Sequence, residues 1–65
     1  MIDLHGTKNG GISVEKITEP YGPKSDPVIS IGIYLNKNND KPDYKSHIPL
    51  ANIPAIIAEL QKHID

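Results

Sequence analysis

The chain has no cysteine, no arginine, no tryptophan and no phenylalanine. Without cysteine, neither a disulfide framework nor a thiolate zinc site can brace it. Basic residues number 7 against 8 acidic ones, a net charge of −1. No charge excess therefore draws the chain to nucleic acid or to an anionic membrane. No apolar run approaches the ~20 residues of a membrane span. The opening Met1-Ile2-Asp3-Leu4-His5 is too polar for a secretory signal, so the expected location is cytoplasmic.

With 65 residues, the chain is sized for one small domain. A chain this short buries only about 60% of its unfolded surface. With no covalent or metal staple, self-association is the expected further source of stability, and a homo-oligomer, dimer or higher, is predicted.

What the sequence does have is aliphatic residues in ordered patterns. Ile2 and Leu4 alternate with polar neighbours, as do Ile12 and Val14 beyond the turn-forming run Gly6 to Gly11. These segments predict strands over about 2–5 and 11–18, with Leu4 opposite Ile12 and Ile2 opposite Val14. Ile17 breaks the alternation, which predicts a bulge or the end of pairing near Lys16. Glu19 to Pro27 contains three prolines and must be a loop.

Residues 28–35 make the strongest strand pattern, with Ile29, Ile31, Ile33 and Leu35 on one face and Val28, Ser30, Gly32 and Tyr34 on the other. After the polar connector Asn36 to Pro42, a fourth strand is predicted over 43–50. Keeping apolar residues together predicts Leu35 opposite Tyr44, Ile33 opposite Ser46, Ile31 opposite Ile48 and Ile29 opposite Leu50; a two-residue shift is the rival register. Asn52 is a suitable helix N-cap, and Pro54 is tolerated in the first turn. Ile53, Ile56, Ile57, Leu60 and Ile64 then form one apolar stripe, predicting a helix over 53–64. The expected fold is α+β: a small four-stranded antiparallel sheet, two hairpins in the order β-β-β-β-α, with the amphipathic C-terminal helix packed on one face.

Motifs of known chemistry are missing. Gly6 to Ser13 approaches a phosphate-cradling loop, but Ile12 stands where the lysine belongs and a strand follows instead of a helix. His5, His47 and His63 lie on three separate elements, while a metal site needs three or four converging ligands. Asn38-Asn39-Asp40 with Asp43 is oxygen-rich but lacks the spacing and the terminal bidentate glutamate of a calcium loop. No serine sits in a nucleophile elbow. The expectation is a non-catalytic protein without metal or cofactor.

The face opposite the predicted helix carries the candidate site. Ser30, Gly32, Tyr34, Lys45 and His47 should cluster there, Gly32 leaving the backbone open to close approach. Tyr34 and His47 offer stacking surfaces, and Lys45 with a protonated His47 could meet a phosphate. Tyr21, Lys24 and Lys37, on the two long loops, are candidate ligand or partner contacts.

The order of four strands and one amphipathic C-terminal helix is similar in topology to the Whirly and coactivator-type single-stranded DNA binders. That resemblance spans most of the chain and rests on element order, with the run His47-Ile48-Pro49-Leu50 into Asn52 compatible with it. It implies a nucleic-acid-binding strand face. Those faces are basic and aromatic-rich, whereas this chain lacks arginine.

The small size and the richness in Ile, Asn and Lys also suit an accessory or inhibitor protein of a bacterium or phage. The leading expectation is a homo-oligomeric binding module that captures a phosphorylated, nucleotide-like ligand or blocks a host protein. A single-stranded nucleic-acid binder and a structural protein–protein adaptor are the alternatives.

Overall fold

Each hairpin in the chain joins segments that are adjacent in sequence, so the sheet is a plain meander. The computed structural model describes residues 1–64. The strands are β1 (Ile2–Asp3), β2 (Gly11–Ile17), β3 (Val28–Tyr34) and β4 (Tyr44–Pro49), all antiparallel and in the spatial order β1-β2-β3-β4. A 3-10 turn (Leu50–Asn52) leads directly into α1 (Ile53–Ile64). The expected α+β class and element order are what the fold displays, although each strand is shorter than its pattern predicts.

Both hairpin registers differ from the expected ones by two residues. In the first hairpin Ile2 faces Ile12 and Asp3 faces Gly11. The cause is Thr7, whose hydroxyl donates to the Leu4 carbonyl (2.7 Å) and accepts from the Gly10 N–H (3.1 Å). With Leu4 also donating its N–H to Gly10 O (3.1 Å), the turn closes early and Leu4 lies opposite Gly10, not Ile12. Gly6, at φ 84°, supplies the left-handed backbone here. Gly10 serves by its lack of a side chain, since a Cβ there would come within 2.5 Å of Thr7 Oγ1.

In the last hairpin Ile33 faces Tyr44, Ile31 faces Ser46 and Ile29 faces Ile48, the rival register. Here Asp43 decides. Its carboxylate accepts the Leu35 N–H (2.7 Å) and its own N–H donates to Ile33 O (2.9 Å). Leu35, satisfied by a side chain instead of a strand, leaves the ladder and is exposed. At Ile17 there is no bulge: pairing runs unbroken to Ile17 opposite Val28. The break in alternation puts Ile17 on the opposite face from Ile12 and Val14, beside Val28.

The largest departure concerns the helix, which does not pack on the sheet. No residue of α1 is buried; only Ile53 and Ile56 are half-buried, while Ile57, Leu60 and Ile64 are 59%, 60% and 76% exposed. The Leu50 N–H donates to Pro27 O (3.1 Å), anchoring the start of the turn to the end of the sheet. From there the backbone enters helical geometry at once, with Ile53 at φ −61°, ψ −44°. Asn52, expected as a free N-cap, is absorbed into the 3-10 turn. With no flexible residue between turn and helix, nothing brings the helix back over the strands. The molecule is consequently flat, 39 × 34 × 14 Å, and the contacts of α1 are chiefly with the 3-10 turn that precedes it.

Candidate functional site

Strand alternation assigns the side chains to two faces. One face carries Ile2, Ile12, Val14, Ile29, Ile31, Ile33, Tyr44 and Ile48, interrupted only by Lys16 and Ser46. The other carries Asp3, Gly11, Ser13, Glu15, Ile17, Val28, Ser30, Gly32, Tyr34, Lys45, His47 and Pro49. All five strand residues of the expected ligand floor share this second face. Gly32 lies opposite Lys45 and Ser30 opposite His47, so each is displaced from the partner that the predicted register assigns.

The centre of the second face is covered by the connector that follows β3. A Cβ on Gly32 would meet Ser13 Oγ at 2.7 Å and Pro42 Cβ at 3.1 Å. The space that the sequence leaves open for a ligand is thus filled by the Pro42 ring. A Cβ on Gly11 would likewise meet the Lys37 side-chain stem at 2.7 Å and Met1 sulfur at 2.5 Å. The connector from Asn36 to Pro42 therefore folds back across β2 and β3. It is tied down by the Lys37 N–H donating to Asn9 O (2.7 Å) and by Lys37 Nζ donating to Asp3 Oδ1 (2.5 Å). That ammonium holds the Asp3 carboxyl below its ordinary value, by hydrogen bond first and by charge second. On the same face, Val28 (5% exposed) and Ser30 (6%) are the only strongly buried apolar and polar residues among those described.

The candidate residues accordingly separate into two groups. Ser30 and Gly32 are buried and Tyr34 is half-buried, so they form a floor already roofed by the protein itself. Lys45 and His47 on edge strand β4 stay exposed. The Tyr21 ring leans toward His47, with centroids 6.5 Å apart and planes tilted by 57°, which brings one expected loop contact to the expected strand site. Lys24 is exposed at φ 69°, a strained backbone for a non-glycine residue. Lys37 is committed to Asp3. Among the described residues there is no cavity, and no group of three or more His, Asp or Glu side chains converges. No described helix is long and apolar enough to cross a membrane.

The residues that strand patterning alone does not single out as functional are those of the aliphatic face. There Ile29, Ile31, Ile33 and Ile48 are half-buried, and Ile2, Val14 and Tyr44 are more than half exposed. An apolar sheet face left this open is uncommon on a single soluble domain. The alternation that identifies the face was legible; the expectation that the helix covers it concealed its exposure.

No known protein family matches this chain, and no curated protein or solved structure is significantly similar to it.

Proposed function

We propose that the chain is a small, non-catalytic interaction module that acts by protein–protein contact through the aliphatic face of its sheet. It serves as a homo-oligomeric adaptor or a blocking protein, in keeping with a small bacterial or phage accessory role. The observation that carries this reading is the contrast between the two faces: the centre of the polar one, at Gly11 and Gly32, is covered by the chain's own connector, whereas the apolar one leaves Ile2, Val14 and Tyr44 more than half exposed. Sequestration of a phosphorylated ligand would need a recess with convergent polar groups, and Pro42 occupies the place where the sequence offers one. Single-strand binding would need several basic groups beside its stacking surfaces, but the open face is aliphatic apart from one tyrosine, Tyr44, one serine, Ser46, and one lysine, Lys16.

The test sets one substitution on each face against the other. Association of the purified protein, followed by sedimentation, should be lost in Ile31→Asp and kept in Lys45→Ala and His47→Ala. Calorimetric titration with ATP and with oligothymidylate should give no heat. Binding of either that disappears in Lys45→Ala would overturn the proposal in favour of the ligand or nucleic-acid reading.

A further inference from the structure

A protein this flat has nowhere to hide its apolar surface. The accessible surface is 5264 Å² for a 7.1 kDa chain, whereas a compact monomer of that mass exposes about 4,100 Å². The Cα radius of gyration is 13.6 Å, against about 11 Å for a compact domain of this length. The excess surface, about 1,200 Å² per chain, amounts to roughly 2,400 Å² over two chains. That lies in the range of permanent homodimer interfaces and well above the standard ~1,600 Å².

Two unpartnered apolar surfaces contribute to it, and they differ in shape. One is the flat isoleucine face of β2, β3 and β4. The other is the stripe Ile56, Ile57, Leu60 and Ile64 on α1. Domains are stable as two packed layers, and helix on sheet is one of the standard solutions. Twelve residues of α1 span about 18 Å, and the seven residues of β3 about 23 Å, so the helix matches the sheet in length. The same chain therefore presents both a floor and a cover, yet the continuous 3-10-to-helix backbone from Leu50 keeps it from closing one over the other.

Resting on the interaction reading above, we propose that the occupant of the aliphatic face is α1 of a second copy, in a reciprocal helix-exchanged dimer. A two-fold axis makes such an exchange self-consistent: each chain gives a helix and receives one, and the contact closes without propagating. The dimer then has two helix-on-sheet units, each built from both chains. Leu60 and Ile57 sit at the centre of the buried stripe, against Ile31 and Ile33. The loop-roofed polar faces remain outward, carrying Lys45 and His47 to solvent.

The experiment is an isotope-filtered nuclear Overhauser measurement on a one-to-one mixture of 13C-labelled and unlabelled full-length protein, with sedimentation equilibrium alongside. Expected are a dimer and cross-peaks between copies from the Ile57 and Leu60 methyls to those of Ile31 and Ile33. Leu60→Lys, exposed in the single chain and so harmless to its strands, should weaken the dimer by roughly 30-fold or more. A concentration-independent monomer overturns the exchange, as do helix-to-sheet cross-peaks confined to one copy, or a dimer whose cross-peaks join sheet to sheet. If association survives Leu60→Lys and fails in Ile31→Asp, the exchange is wrong and the interaction face stands. If association survives both, the two proposals fall together.

Discussion

The two faces of this sheet invert the usual relation between polarity and burial. The face built from Ser13, Ser30, Gly32 and Gly11 is the better covered, and the face built from isoleucines is the more open. The difference comes from side-chain volume. Glycine and serine on adjacent strands make a shallow trough into which a loop can settle, and Pro42 and the Lys37 stem settle there. Isoleucines on neighbouring strands make a raised surface that a polar connector such as Asn36 to Lys41 cannot cover without desolvating its own amides. Burial within one chain is thus set by which surface its loops can fit, and the aliphatic surface stays the more open of the two.

The contrast can be broken from either side. The largest effect is expected for Ile31→Asp, which puts an unpaired carboxylate among the half-buried isoleucines of the aliphatic face. Urea unfolding should show a loss of about 3 kcal/mol or more, whereas Lys45→Asp on the opposite face should stay within about 0.5 kcal/mol. Equal, small effects for both would mean that the isoleucine face meets water in the working protein. Next comes Gly32→Ala. Its methyl would press against the Pro42 ring at 3.1 Å and Ser13 Oγ at 2.7 Å, and a cost of about 1–3 kcal/mol is expected from such overpacking. A neutral result would show that the connector does not rest on β3.

Thr7→Val removes both hydroxyl hydrogen bonds that close the first turn, and about 1 kcal/mol should go with each. Amide exchange at Gly10 is a direct monitor. The smallest effect is at Asp3. Its carboxyl is held below the ordinary 3.8 by Lys37, so the contact stabilises the fold above that value and is lost as pH falls through the folded-state value. Stability should therefore be insensitive to this pair near neutrality and decline only in acid, weakly, because the pair is solvent-screened. In Lys37→Met, the Asp3 titration followed by NMR should return to the ordinary value.

Element order, strand positions and the apolar stripe of α1 were legible because each follows from a local period of two or 3.6. Register was not, since apolar matching accepts Leu35 opposite Tyr44 as readily as Ile33. The deciding atoms, Asp43 Oδ2 and Thr7 Oγ1, are polar groups in the connections. The identity of the shared candidate face was also legible, placing Ser30, Gly32, Tyr34, Lys45 and His47 together. Its accessibility was not, because the absence of a side chain at Gly32 invites a proline of the same chain as readily as a ligand. Where the helix goes depends on Leu50 to Asn52 being a 3-10 turn without slack, a matter of a few dihedral angles that no hydrophobic pattern encodes.

The meander order of the strands also has a kinetic consequence. Every strand pairs with its nearest neighbour in sequence, so each hairpin can close on its own, on the microsecond scale of such events, and the sheet has little long-range topology to search. Docking of two such chains in the proposed dimer is bimolecular. Refolding should then divide into a fast phase indifferent to protein concentration and a slower one that accelerates with it. At low concentration the chain would linger as a formed sheet with its isoleucines bare, the state in which it is most open to capture by another protein.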